Sequence, residues 1–346
     1  MTSTQTPAVP RSERPDPGPG AAPPRTPKRR KYAAPKDRGA NRLFRWAATG
    51  AGAFILVVLA AVAVFLVVRA WPAISMPSAE LADKVSALHG SSLLSYIGPL
   101  VFGTVLAAAL ALLFATPVAL GIALFTSHYA PRRIASALGY VVDLLAAIPS
   151  VVFGLWGVQV LAPKVQPVWQ FLVDYFGWIP LFAGDAHGNA SNPPRVLMTT
   201  AIVLAVMILP IITAVSREVF LQTPRLHEEA ALALGATRWE LIRMAVLPFG
   251  RSGVTSAAML GLGRALGETM AVLMILSPGL LYSFKLLVAS QQQTIAGNIA
   301  ARFNDANDIG RSTLIATGLA LFVITLLVNL AARGIIARRK DFSGAN

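Results

Sequence analysis

Two ionisable residues, Arg264 and Glu268, stand four positions apart in a largely apolar stretch of the sequence. On an α-helix this spacing places both side chains on one face, about 6 Å apart along the axis and within reach of an ion pair. Charges at membrane depth are costly, so they face a protein interior or a water-filled path. Arginine stays ionised, and its fork of donors matches an oxyanion. The pair therefore predicts either a buried salt bridge that fixes helix packing or a cation that meets an anion in passage.

Asp143 is a weaker candidate for the same path, because it lies near the inner end of its apolar stretch, where an interfacial position is also consistent. Pro149 and Pro210 are interpreted as kinks within membrane helices. The sequence has no Gly-x-x-x-x-Gly-Lys-Ser/Thr motif, no metal-ligand spacing and no cysteine, and its four histidines are scattered. We therefore predict no catalytic residue, no metal site and no cofactor in this chain, and no enzymatic activity of its own.

The elements that must position these residues are six apolar stretches of about 20 residues, the length that crosses ~30 Å of hydrocarbon. With 55% hydrophobic and only 13% charged residues, the composition excludes an ordinary water-soluble domain. We predict an all-α, polytopic membrane protein with about six transmembrane helices. The predicted spans cover residues 46–68, 101–125, 138–161, 196–215, 249–276 and 312–332.

Basic residues are distributed unevenly between the loops that join these spans. With the N-terminus inside, the cytoplasmic segments hold 21 of the 30 Lys and Arg residues and the outer segments hold 7. Lys and Arg accumulate on the cytoplasmic side of membrane proteins. We therefore predict a multi-pass protein of the cell membrane with both termini in the cytoplasm. Eleven of the basic residues precede residue 46, so the net charge of +14 does not indicate a nucleic-acid partner.

The chain is expected to divide into two tails and one membrane domain. Residues 1–45 are rich in Pro, Gly, Ser and Thr and poor in large apolar residues, which predicts a disordered basic cytoplasmic tail. The basic cluster at residues 28–31 either binds anionic lipid headgroups or serves only as a topology signal. Residues 46–340 form the predicted transmembrane domain, with a cytoplasmic loop at 217–247, and residues 341–346 form a short C-terminal tail.

That cytoplasmic loop carries its own start and stop signals for helices. Thr223 and Pro224 predict an N-cap followed by proline at the first helical position. Gly235 predicts a left-handed C-cap, and Thr237 with Glu240 has the spacing of a capping box. Two short helices that meet at a glycine elbow are therefore expected on the cytoplasmic side.

The same elbow offers a surface that a simple connector does not need. Ala230 and Ala231 are small enough for close docking, and Leu232, Leu234 and Trp239 are apolar. Such features suit insertion into a groove on a partner protein. The alternative interpretation is a surface helix pair that merely joins two spans.

The loop resembles the EAA loop of ABC-importer permeases, with Glu229-Ala230-Ala231, Gly235 and Leu247-Pro248 at the matching positions. One position departs from that pattern, since Ala245 stands where isoleucine is usual. Residues 144–157 and 259–272 look like the third and fifth spans of phosphate importer permeases of the PstC type. The resemblance extends from the first predicted span to the C-terminus and leaves out the basic tail.

The resemblance implies a type I ABC importer permease fold and a channel-forming subunit of an ATP-driven importer, which translocates phosphate delivered by a substrate-binding protein. The implied partners are a second homologous permease (PstA type), a cytosolic ATPase dimer that binds ATP (PstB type), an external phosphate-binding protein (PstS type) and membrane lipid. In this family the loop is a coupling helix that docks on the ATPase, a role that falls here to Glu229, Ala230, Ala231, Gly235, Trp239 and Pro248. A permease for phosphonate, molybdate or sulfate, or a non-transporting membrane scaffold, remains the alternative.

Overall fold

The computed structural model describes residues 39–88, 90 and 92–337, and this part of the chain is helical without any β-strand. The basic cluster at residues 28–31 and the predicted C-terminal tail lie outside the described residues. The thirteen α-helices of the described part are α1 (Gly39–Ser75), α2 (Ser78–Lys84), α3 (Leu93–Leu124), α4 (Arg132–Ala146), α5 (Ser150–Trp156), α6 (Ala162–Phe176), α7 (Leu197–Leu221), α8 (Arg225–Ala233), α9 (Arg238–Leu241), α10 (Leu247–Leu266), α11 (Met270–Ile275), α12 (Ile295–Arg302) and α13 (Asp308–Ala337).

Five helical stretches of the described chain are long and apolar enough to cross a membrane: Asn41–Ser75, Leu93–Tyr129, Ser150–Phe176, Leu197–Leu221 and Asp308–Gly334. Each contains a window with a mean hydropathy between 1.2 and 3.1. The predicted all-α, multi-pass architecture is thereby confirmed. The first stretch begins ahead of the predicted start at residue 46, because the helix continues through the preceding basic residues.

The chain divides into two units after Val57. The first unit contains the beginning of α1, whose side chains from Asn41 to Val57 are all exposed. This exposure is expected for an apolar helix that contacts lipid tails rather than protein.

The predicted third span, residues 138–161, is wrong in its bounds. Helix α4 ends at Ala146, and α5 begins after Pro149, whose φ of −59° and ψ of 141° are not helical. A proline also disfavours the helical conformation of the residue before it, which accounts for the interruption at Ile148. Pro149 therefore precedes a helix instead of kinking one, whereas Pro210 lies inside α7 as predicted.

The predicted fifth span, residues 249–276, is not one continuous helix. Helix α10 ends at Leu266, and α11 begins four residues later at Met270. Gly267 is a poor helix former at this position. The Glu268 carboxylate stabilises the interruption, because its Oε1 atom accepts a hydrogen bond of 3.1 Å from the Ala271 N–H at the start of α11. Tertiary placement of Glu268 thus favours two helices over one.

The core of the second unit is built on α3 and α7, which pack along one another. A line of alanines on α3 is at most 1% exposed: Ala107, Ala108, Ala111, Ala115 and Ala119. Small side chains permit the close approach of membrane helices, where apolar burial between helices gives little driving force. They meet large α7 side chains that are also at most 1% exposed: Val203, Leu204, Met207, Ile208 and Ile212.

Helix α10 reaches the same core through glycine. A Cβ atom at Gly261 would lie 2.9 Å from Ile212 Cδ1, and one at Gly253 would overlap Val219. Helix α7 therefore contacts both α3 and α10 and forms the centre of the bundle.

We expect both ends of the chain to lie in the cytoplasm, as the distribution of basic residues predicts. A reporter enzyme that works only in the cytoplasm, fused after Lys340, should be active, whereas the same reporter inserted at Gly188 should be silent. Gly188 is an exposed turn residue with φ of +74°, so an insertion there disturbs little packing. An active reporter at Gly188 together with a silent one at Lys340 would invert the proposed orientation.

Candidate functional site

The elbow between α8 and α9 is closed by the glycine cap that the sequence predicts. Gly235 has φ of +81°, its N–H donates to the Leu232 carbonyl at 2.9 Å, and the Ala236 N–H donates to the Ala231 carbonyl at 3.2 Å. These two bonds define a Schellman motif, which satisfies carbonyl groups at the end of a helix. The predicted N-terminus of α8 is displaced by one residue, since Pro224 has a ψ of 128° and occupies the cap position. Thr223 is buried, and its hydroxyl has no hydrogen-bond partner in the described residues.

The predicted capping box of Thr237 and Glu240 is confirmed. The Glu240 N–H donates to Thr237 Oγ1 at 3.3 Å, and Glu240 Oε2 accepts from the Thr237 N–H and hydroxyl, each at 2.8 Å. The hydrogen bonds from Thr237 hold the pKa of the Glu240 carboxyl below its usual range, because they favour the ionised form. Glu240 is therefore a carboxylate at neutral pH and completes the cap.

The helix that follows the elbow is longer than the sequence predicts. A π-helical turn at Ile242–Val246 joins α9 directly to α10, so the helical path runs from Arg238 to Leu266. Leu247 and Pro248 lie in the first turn of α10 and not in a connector. One helical segment therefore connects the elbow to Arg264.

Four large apolar side chains on this elbow face solvent and form what we call the coupling surface: Leu226, Leu232, Leu234 and Trp239, which are 77, 51, 87 and 57% exposed. Glu229, Ala230 and Pro248 are also exposed. Ala231 is not available to a partner, because it is only 8% exposed and packs in a cluster with Phe220, Leu241 and Ile242. The structure therefore separates the predicted docking residues into a solvent-facing set and one internal packing residue.

His128 links the elbow to the end of α3, and nothing in the sequence singled it out. Its Nε2 atom lies 3.5 Å from Glu228 Oε1 on α8, and its carbonyl accepts a hydrogen bond of 3.3 Å from Arg238 Nη1. Its Nδ1 atom lies 2.7 Å from Ser127 Oγ. Both helices of the elbow are thus held to α3.

The predicted ion pair between Arg264 and Glu268 is wrong. Helix α10 ends between the two residues, so the four-residue helical register does not hold. Glu268 is 8% exposed and is used as the acceptor for α11. Arg264 is half-buried and makes neither a hydrogen bond nor an ion pair with any described residue. Arg264 is therefore a cation without a counter-ion among the described residues, beside an interruption in the helix.

Asp143 lies in a cavity of about 260 Å³ between α4 and α7. The charged residues that line this cavity are Asp143, Arg217 and Glu218. The Arg217 Nη1 atom packs against Gly139, where an added Cβ would lie 2.9 Å away. Arg217 Nε is buried and has no hydrogen-bond partner in the described part of the chain. In the sequence, Arg217 is one of the basic residues of the predicted cytoplasmic segments, and no local pattern joins it to Asp143.

No group of three or more His, Asp or Glu side chains with metal-binding geometry occurs in the described part of the chain. The arrangement offers cations, an exposed apolar surface and helix interruptions. Such a set is suited to binding an anion and to contacting a partner protein.

Comparisons with known proteins show which proteins this chain is similar to. The family model for the binding-protein-dependent transport system inner membrane component matches residues 115–341, which include the elbow, Asp143 and Arg264. The phosphate transport system permease protein PstC 2 of Mycobacterium tuberculosis is 47% identical over 309 residues, which cover 87% of this chain and 93% of that protein. The PstC protein of Mesorhizobium japonicum is 37% identical, over 88% of this chain and 92% of its own length.

A likeness also exists among solved structures. A chain of the inward-facing MetNI methionine ABC transporter has a TM-score of 0.50 and 16% sequence identity, and the match covers 71% of this chain and 96% of that chain. At this identity the likeness concerns the fold alone. It agrees with the predicted permease architecture.

Proposed function

We infer that this chain, which belongs to the family of binding-protein-dependent transport system inner membrane components, is the membrane permease subunit of an ATP-driven importer of inorganic phosphate. The observation that carries the assignment is the similarity to PstC proteins, at 36–47% identity over most of the chain. ATP hydrolysis belongs to separate ATPase subunits, so the chain is not itself an enzyme.

We propose that the coupling surface docks on a cytosolic ATPase dimer of the PstB type. Exposed leucines around a tryptophan are costly in water and are typical of the buried centre of an interface. The elbow is held in one conformation by a Schellman motif and a capping box, and α9 continues into α10. A movement imposed by the ATPase would therefore reach α10 as a shift of a rigid helix.

The remaining partners follow from the same assignment. A second permease of the PstA type would supply the other half of the pathway, a phosphate-binding protein of the PstS type would deliver the anion, and lipid would contact the exposed apolar helices. In the assembly with the second permease, Arg264 would line the pathway of the anion. Its guanidinium can donate two hydrogen bonds to a phosphate, and no protein carboxylate in the described residues neutralises it. Passage also requires that the anion leave, so binding at such a site should be weak.

The assignment is tested by uptake into vesicles whose membrane contains this chain, the second permease and the ATPase dimer, with the binding protein outside. Radiolabelled phosphate should enter the vesicles only when ATP is present on the side of the membrane that faces the ATPase. An excess of unlabelled phosphate should abolish the signal, whereas sulfate, molybdate and methylphosphonate should leave it nearly unchanged. Uptake of labelled sulfate or molybdate in place of phosphate would transfer the assignment to another oxyanion.

A further inference from the structure

A second cavity lies at the end of the bundle opposite the coupling surface. It has a volume of about 220 Å³ and is lined by Pro278, Gly279, Leu280, Gln293 and Arg302. Two residues beyond the lining residue Gln293, the Ile295 N–H donates a hydrogen bond of 2.9 Å to the hydroxyl of Thr104 on α3. His128, at the coupling end of α3, is 24 residues further along, or about 36 Å at 1.5 Å per residue. We call this space the outer cavity.

The walls of the outer cavity are held rigidly. Residues on either side of a reversal in the chain are paired by backbone hydrogen bonds, from the Gly279 N–H to the Gln292 carbonyl at 3.2 Å and from the Leu281 N–H to the Gln291 carbonyl at 2.9 Å. The Gln292 side chain, 1% exposed, donates to the Ser283 carbonyl at 2.6 Å. A loop with this much internal hydrogen bonding is preformed, so a ligand would not have to order it.

The charge in the outer cavity has one sign. Arg302 lines it, and no carboxylate does. Arg302 is half-buried and makes no hydrogen bond, ion pair or ring contact with any described residue. Nearby basic residues differ in this respect, since Arg311 lies 3.9 Å from an Asp308 oxygen and Lys84 lies 2.6 Å from a Glu80 oxygen. The cavity therefore attracts anions, unlike the α4–α7 cavity, which contains two carboxylates.

Gln293 gives the outer cavity a second polar group. Its side chain is 5% exposed, and its amide oxygen is buried without a hydrogen-bond partner in the described residues. An unpaired buried acceptor is costly unless a ligand supplies a donor. Inorganic phosphate near neutral pH still carries a proton and can donate it in a hydrogen bond, whereas sulfate carries none. A cavity that is lined by a guanidinium and by a glutamine with an unpaired carbonyl oxygen thus suits a protonated phosphate better than sulfate.

We propose that the outer cavity is a weak binding site for inorganic phosphate, which Arg302 holds through its guanidinium and Gln293 through its amide oxygen. The proposal rests on the proposed function and locates a first contact for the anion within this chain, before the anion reaches Arg264. The same chemistry would bind the phosphate of a lipid headgroup, so the test must distinguish the two sources.

The sequence has no cysteine, so a single introduced thiol can report on the outer cavity. The assembled complex is placed in lipid nanodiscs, with Leu280→Cys in this chain, and the rate of reaction with an uncharged maleimide is measured. Millimolar inorganic phosphate should slow the reaction at least about threefold, as expected when the phosphate concentration is about twice its Kd or higher. Sulfate at the same ionic strength should slow it less. The neighbouring Leu281→Cys, outside the lining, should react at a rate that phosphate does not change.

Substitutions of Arg302 test whether this residue binds the phosphate. In the Leu280→Cys background, Arg302→Gln should remove the protection by phosphate and Arg302→Lys should weaken it, because lysine keeps the charge but loses the fork of donors. Arg311→Gln removes an exposed cation nine positions away and should leave the protection intact.

Three outcomes would overturn the proposal: no protection by phosphate, protection that persists in Arg302→Gln, or protection by added phosphatidylglycerol alone in phosphate-free buffer, which would assign the cavity to a lipid headgroup. Phosphate uptake by the wild-type complex is measured in parallel. If uptake is normal while protection is absent, only the outer cavity is refuted. If the wild-type complex imports a different oxyanion, the proposed function fails instead.

Discussion

Replacing Gly235 with valine is expected to lower ATP-driven phosphate uptake about 5- to 150-fold while the chain still inserts and assembles. Gly235 has φ of +81°, where a β-branched residue is strained by about 1–3 kcal/mol. No atom lies within 4 Å of an added Cβ, so the strain comes from the backbone and not from a collision. The chain would relieve it by abandoning the left-handed cap, which redirects α9 and the coupling surface.

The chain contains a matched control for this experiment. Gly188 also has a positive φ, of +74°, and open space around its Cα, but it lies in an exposed loop far from the elbow. Gly188→Val therefore introduces the same backbone strain and should keep nearly normal uptake. Uptake by Gly235→Asn should lie between that of Gly235→Val and that of Gly188→Val, because asparagine tolerates the left-handed region. Stimulation of ATPase activity by the loaded binding protein should follow the same order. Normal uptake by Gly235→Val would make the elbow a connector only.

Replacing Arg264 with methionine is expected to lower phosphate uptake about 10- to 100-fold without loss of assembly. A hydrogen bond to a charged group contributes about 1.5–3 kcal/mol, and each 1.4 kcal/mol is tenfold. Because Arg264 has no ion-pair partner among the described residues, its removal leaves no buried carboxylate without a counter-ion. Arg264→Lys should recover part of the uptake, since it keeps the charge and loses the bidentate geometry.

The comparison variants separate the cation from the helix that carries it. Arg251→Met removes an exposed arginine from the first turns of the same helix and should leave uptake close to normal. Glu268→Gln keeps an oxygen that can accept from the Ala271 N–H and should assemble normally, whereas Glu268→Ala loses that cap at a cost of about 0.5–2 kcal/mol.

The double variant Arg264→Met with Glu268→Gln tests whether the two residues act as a pair. With no interaction between them, its uptake should match that of Arg264→Met alone, because independent effects add. Recovery of uptake in the double variant would instead support the interpretation of Arg264 and Glu268 as a buried salt bridge. Wild-type uptake by Arg264→Met would remove Arg264 from the anion path.

The sequence by itself determined the features that depend on a few neighbouring residues. The left-handed cap at Gly235 and the capping box of Thr237 with Glu240 were predicted correctly, because each is made by atoms within five residues of one another. The existence of apolar spans was equally accessible, since their length is imposed by the bilayer and their composition by the absence of water.

Only the tertiary structure decided which ionisable groups meet. Glu268 has the spacing for a pair with Arg264, but α10 stops at Leu266 and the carboxylate turns to α11. Asp143 shares a cavity with Arg217, although 74 residues separate them in the sequence. Gln293 likewise shares a cavity with Arg302, although no sequence pattern marks this pair. Local propensity fixes caps and spans because its energies arise between neighbours in the chain. The choice of partner for a charge is made by packing between distant helices, where many close van der Waals contacts together outweigh any single ion pair.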